Sequence, residues 1–198
     1  MYLYNELRII YFSANAGFDC GGMKMKIYTV SFFGHRIIQD FSAAEERVEA
    51  LIHNLLLGKD YVDFLIGRDG DFDQIVSSAV KRMKRLVRDD NSSLIWVLPY
   101  PTAKLRDNID SFQNYYDEIE ICDAAASSHP KKSFQIRNRQ MVDRSDLVVF
   151  YVDHNSGGAY QTMRYAQKEE KNIINLGEGK DSEKKNEHHH LNDGAHFQ

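Results

Sequence analysis

The chain has 198 residues, a formal charge of −4 at pH 7, 42% hydrophobic residues and 27% charged residues. That is ordinary for one globular domain with a sizeable core, and the net charge offers no general attraction for nucleic acid or acidic membranes. Two cysteines, Cys20 and Cys122, form no disulfide framework, which fits a reducing cytoplasmic setting, and no apolar run approaches the roughly 20 residues of a membrane span.

Residues 1–24 hold no clear hydrophobic period, and "MKMKIYTVSFFG" reads as a fresh start at Met25. The codons for Cys20 to Met23 can contain a ribosome-binding sequence just ahead of Met25. Residues 1–24 are therefore expected to be a non-native leader or disordered extension. The domain is expected over residues 25–177. Within it, "KIYTVSFFG" predicts a buried strand ending in glycine. "SAAEERVEALIHNLL" predicts a helix, with Ser42 and Glu45 as a capping box and Val48, Leu51, Ile52, Leu55 and Leu56 as its apolar face.

"YVDFLIG" is a second strand, and "DFDQIVSSAVKRMKRLV" a second helix, with Asp71 and Gln74 as its capping box and Ile75, Ala79, Met83 and Leu86 as its stripe. The basic residues of "KRMKRLVR" fall by period on its solvent face. "SLIWVLPY" is a third strand, stopped by Pro99 and Pro101. Between Thr102 and Ser133 the pattern weakens to a short helix, a strand near Glu118–Cys122 and a loop. "SFQIRNRQMVDRS" then reads as a helix, "DLVVFYV" as a strand, "AYQTMRYAQKEE" as a helix and "NIINL" as a last strand. Residues 178–198, "EGKDSEKKNEHHHLNDGAHFQ", are polar and predict a disordered tail. Its His188, His189 and His190 lie in a segment with no fold to shape a specific metal site.

Strands apolar on both faces, alternating with amphipathic helices, predict an α/β class. The expected architecture is a single Rossmann-like domain with a mostly parallel sheet flanked by helices on both faces. In such folds the ligand crevice lies outside the carboxyl ends of the strands. Those ends carry Gly34, His35 and Arg36; Gly67 and Arg68, with Asp73 shortly after; and Asn155, Ser156, Gly157, Gly158 and Ala159.

Glycine lets a backbone approach a ligand closely, and a helix start presents free N–H groups and partial positive charge to phosphate. "NSGGAYQ" thus reads as a phosphate cradle, with Ser156 as a hydroxyl donor. The competing reading is that the glycines only shape a turn and Ser156 only caps a helix. Arg36 and Arg68 suit phosphate through paired hydrogen bonds, while Asp71 and Asp73 suit either ribose hydroxyls or the helix dipole. His35 suits acid–base work or a structural role equally. No zinc spacing, Walker loop, GxGxxG fingerprint or Ser-His-Asp set is present, so no metal or cofactor is expected.

The stretch "RNRQMVDRSDLVVFYVDHNSGGAYQTMRYA", with "TVSFFGHR", "FLIGRDGDFD" and "KNIINL", resembles the SLOG superfamily, the Rossmann-like group that includes DprA/Smf and the lonely-guy phosphoribohydrolases. The resemblance covers Lys26 to Leu176 and is nearest to uncharacterised bacterial members. By that resemblance Arg137 matches the arginine of the family's helix motif and is the candidate catalytic residue. Asn138 takes the place of its lysine, and Gly157 and Gly158 match the paired glycines. Tyr160 and Arg164 depart from the pattern, Arg164 standing where the phosphoribohydrolases carry a catalytic glutamate. Cleaving a glycosidic bond develops positive charge on the ribose, which a guanidinium opposes. Asp153, Glu169 or Asp73 would have to substitute.

The expectation is therefore binding, or sensing, of a nucleotide or nucleotide-derived small molecule. The alternative is a stand-alone nucleoside-monophosphate phosphoribohydrolase or deoxyribosyltransferase-type enzyme. A DprA-like role on single-stranded DNA ranks last, because it needs a basic groove with interleaved aromatics. The resemblance also implies a homo-oligomer.

Overall fold

Every stretch that is apolar on both faces becomes a strand of one sheet. The computed structural model describes residues 9–10, 25–67 and 70–177. The strands are β1 (Ile9–Ile10), β2 (Ile27–Gly34), β3 (Tyr61–Ile66), β4 (Ser92–Leu98), β5 (Glu118–Ile121), β6 (Leu147–Tyr151) and β7 (Ile173–Asn175). The helices are α1 (Phe41–Gly58), α2 (Asp71–Leu86), α3 (Ala103–Asp107), α4 (Ile109–Tyr115), α5 (Asp123–Ala126), α6 (Pro130–Asp143) and α7 (Gly157–Lys168). The strand order is β1-β5-β4-β3-β2-β6-β7. Six strands, β2 to β7, form the body of the sheet, with the two-residue β1 at its edge, and every pairing is parallel.

Alternate residues of each strand serve opposite layers. Phe32, Phe64 and Trp96 pack with Val48 and Ile52 of α1 and Ile75 and Val80 of α2. Their strand neighbours Phe33, Leu65 and Val97 pack on the other face with Met141 of α6 and Ala166 of α7. Phe32, Phe64 and Phe150 are fully buried, which stabilises the fold by about 1.5–3 kcal/mol for each side chain. Two filled layers around a parallel sheet are the expected α/β arrangement.

Several local expectations are corrected. Ser42 and Glu45 do not cap α1: Asp40 does, accepting from the Ala43 N–H at 3.0 Å. Glu45, with Glu49, instead pairs with Arg82 of α2. Asp71 does not cap α2 either, since Gly70 stands at the cap and makes no side-chain bond. Leu86 is exposed rather than part of the apolar stripe. Lys84 is buried, its ammonium held by Asp117 at 2.8 Å and by the Ser92 carbonyl at 2.9 Å. The weakly patterned segment resolves into α3, α4, β5 and α5, and the helix expected from Ser133 begins three residues earlier at Pro130. The expectations for residues 1–24 and 178–198, and for Arg68, lie outside the described residues apart from Ile9–Ile10.

Candidate functional site

β2 lies between β3, which follows it in the chain, and β6, which comes more than a hundred residues later. The connections leave these neighbouring strands in opposite directions, and this switch point opens a crevice at the strands' carboxyl ends. The last register pair there is Gly34 with Tyr151, and the His35 N–H then donates to the Tyr151 carbonyl at 3.2 Å. A cavity of about 530 Å³ sits above it.

The first lip of the cavity is the loop after β2, locked to the start of α2. The Asp71 N–H donates to the Arg36 carbonyl at 2.9 Å, and the Asp71 carboxylate accepts from the Ile38 N–H at 3.1 Å. This fixes the backbone of 36–38 and leaves the Arg36 and Ile37 side chains exposed at the mouth.

The floor is built around Arg137. Its guanidinium donates to the Val97 carbonyl at 3.2 Å and passes over the end of β3, where a Cβ on Gly67 would stand 2.2 Å from Nη1. Only glycine at 67 leaves the buried Arg137 its seat. Phe134, one turn earlier on α6, packs its ring 5.6 Å from that guanidinium and is part-exposed in the cavity. Asn138 donates to Thr162 Oγ1 at 3.0 Å, and Thr162 donates to the Gly158 carbonyl at 2.9 Å, so α6 braces the first turn of α7. Asp73 accepts from the Gly67 N–H at 3.4 Å.

The opposite lip is the start of α7. Gly157 is its first residue, with φ of 86°, a left-handed conformation that L side chains resist. Ser156 stands at the cap but makes no side-chain capping bond, and no acidic residue lies in the first turn. A Cβ on Gly158 would meet nothing within 4 Å. The helix start therefore faces open space with uncapped N–H groups and an uncompensated dipole, which together suit an anion.

Beside it the loops after β2 and β6 bring His35, Asp153 and His154 together. The two imidazoles stack with centroids 3.6 Å apart and planes 14° apart. Asp153 Oδ1 lies 2.6 Å from His154 Nδ1 and 3.3 Å from His35 Nε2. Burial, seconded by the neighbouring His154 charge, pushes the pKa of His35 down, with Asp153 opposing.

Of the sequence-derived candidates, Gly34, His35, Arg36, Gly67, Asp73, Arg137, Asn138, Gly157, Gly158 and Ala159 all line this one cavity. Asn155 and Ser156 stand in the loop before α7 without lining it. Arg164 is exposed on α7 and does not line it either. Sequence reasoning missed Phe134, Ile37 and His154. Helical period makes Phe134 look like core, and nothing local marks His154 as the partner of a histidine 119 positions away (154 − 35).

No description of a known protein family matches the chain, and no curated protein does. Solved structures do. DNA processing protein A (DprA) from Streptococcus pneumoniae superposes with a TM-score of 0.57 at 18% identity, over 85% of this chain and 57% of that one. The chain thus spans little more than half of that protein. TM1055, a structural genomics target, gives 0.49 at 16% identity, over 74% of this chain and 72% of its own. The molybdenum cofactor carrier protein from Chlamydomonas reinhardtii gives 0.49 at 13% identity, over 84% and 87%. The likeness to DprA is one of architecture, and by it the chain has a Rossmann-like α/β fold.

Proposed function

We propose that the cavity binds a nucleotide or nucleotide-derived molecule, with a phosphate seated at the start of α7. The observation that carries this reading is an uncapped, acid-free helix start facing open space in a cavity at the switch point. Arg36 on the opposite lip supplies an exposed counter-charge, and Ile37 and Phe134 offer apolar surface for a flat ring. The volume falls in the roughly 300–1,000 Å³ range of small-molecule sites. Sensing would add a partner that reads the bound state.

Titration calorimetry with a panel of nucleoside mono- and diphosphates tests the reading against Gly158→Asp. Its Cβ would meet nothing within 4 Å, and its carboxylate brings negative charge to the anion's place. Saturable binding that falls at least tenfold in the variant is the expected result. Binding that is absent throughout, or equal in both proteins, overturns it.

One observation favours a second reading, hydrolysis or transfer at an N-glycosidic bond. Asp73 is a carboxylate on the cavity lining, where a developing positive charge on ribose could be stabilised. Mass spectrometry of the same incubations separates the two. Free base released by the native chain and not by Asp73→Asn would make the protein an enzyme, whereas intact nucleotide supports binding alone.

A single-stranded DNA role gains nothing from α2. Lys81 donates to the Tyr115 carbonyl, Arg82 pairs with Glu45 and Glu49, and Lys84 pairs with Asp117, so three of the five cations of that run are held within the fold and only Arg85 and Arg88 stay exposed. The homo-oligomer implied by the resemblance is checked by native mass spectrometry. Among the described residues no helix is long and apolar enough to cross a membrane.

A further inference from the structure

The His35–Asp153–His154 cluster is chemistry that nucleotide binding does not require. One ring nitrogen from each histidine and one carboxylate oxygen lie within 4.8 Å of one another. A zinc–ligand bond of about 2.0–2.1 Å sets adjacent donors roughly 3 Å apart, close to the 3.3 Å between Asp153 and His35 Nε2, while the 2.6 Å hydrogen bond from Asp153 to His154 Nδ1 is one that an ion would replace. His35 supplies an independent sign. Its side chain is 8% exposed, yet Nε2 makes no hydrogen bond, and the contact with Asp153 lacks hydrogen-bond geometry. A buried polar atom is almost always satisfied, so a nitrogen left in this state and turned towards a carboxylate points to a missing partner.

We propose that His35, Asp153 and His154 form a three-ligand site for a divalent transition-metal ion at the mouth of the cavity. Two imidazoles and one carboxylate select zinc-like ions over magnesium or calcium, which take oxygen donors. Three protein ligands leave at least one position open, the pattern of metal sites that take up water or an anion rather than only hold a fold. Both histidines line the cavity that also holds Gly157 and Gly158 of the α7 start, so an ion there would be within reach of a bound anion. His35 is held in place by burial. His154 is exposed, and its ring, stacked on His35, would have to turn for its nitrogen to share an ion with the other two donors.

The test uses the full chain carrying His188→Ala, His189→Ala and His190→Ala, which removes the tail's own affinity for metals. Calorimetry with Zn²⁺ and, separately, Mg²⁺ measures stoichiometry, and Co²⁺ loading gives a visible spectrum diagnostic of coordination. One Zn²⁺ per chain is expected, with no Mg²⁺ uptake and visible Co²⁺ bands. His154→Ala and Asp153→Asn, both at exposed positions, should each weaken Zn²⁺ at least tenfold without lowering the metal-free melting temperature. A chain that takes up no Zn²⁺, or one whose affinity ignores both substitutions, overturns the proposal. No nucleotide enters the measurement, so it succeeds or fails independently of the phosphate reading.

Discussion

α2 and α7 start at the same end of the sheet, each after a strand, α2 just past Gly70 and α7 on Gly157, and both border the cavity. They differ in how their first turns are completed. α2 carries Asp71 and Asp73 there, one accepting from Ile38 and the other from Gly67, so its dipole and its neighbouring loops are satisfied from within. α7 carries no acid in its first turn and no side-chain cap. A helix that brings its own carboxylates has closed its anion site, and one that lacks them has left it open.

Four measurements break or sharpen this contrast, from the largest effect to the smallest. Gly34→Ala should be the most damaging, because the new Cβ would stand 2.4 Å from Phe72 Cβ and drive the start of α2 off the end of β2. A loss of about 2–3 kcal/mol is expected in denaturant unfolding. A melt within error of the native chain would show that the two loops are not locked.

Asp63 shows what happens to a carboxyl with no helix start to face. Burial first, and then the Glu120 charge, push its pKa up to about 6, against the pull of Arg144. Its folded pKa lies above the unfolded value, so its contribution to stability is greatest below pH 4 and is lost as pH rises to 6. Asp63→Asn should therefore gain about 1–2 kcal/mol on the native chain between those limits, allowing for screening at this partly exposed group. Parallel stability–pH curves for the two proteins would contradict that.

Asp71→Ala removes the acceptor of the Ile38 N–H and half of the first-turn charge, which should cost about 1 kcal/mol. The smallest effect is the mirror experiment. Gly158→Asp gives α7 the carboxylate it lacks and should raise stability by roughly 0.5 kcal/mol even as it removes anion binding. A destabilised Gly158→Asp would mean that the two helix starts are not electrostatic opposites.

Much of the sheet is legible in the sequence because strands such as "LVVFYV" are apolar at every position and bracketed by glycine or polar turns. The segment after Tyr100 is not, since α3, α4 and α5 run only five, seven and four residues, too short to repeat a period. Capping boxes misled for a related reason. Asp40 and Gly70 lie just outside the pattern, and tertiary partners recruit Glu45 and Asp71. For the site, strand-end position found the backbone elements, the glycines above all. It could not find His154 or Phe134, whose role comes from what lies across the crevice. Lys84 is the converse case: its charge reads as solvent-facing, yet it stands one turn beyond the buried Val80, and Asp117 and the Ser92 carbonyl receive its ammonium.

The parallel pairing of β2 with β6 has a consequence for how the molecule is made. Thr29 contacts Asp146 through its N–H, a closure over 117 positions, and no local turn can nucleate it. The α7 lip and the Arg137 floor depend on that late closure, so the cavity does not exist while only the first half of the chain has emerged from the ribosome. Sheets built from such distant pairings fold slowly, on millisecond to second scales. A small molecule that fits the crevice therefore recognises completed chains alone, and its presence would drain the population of half-formed ones towards the finished product.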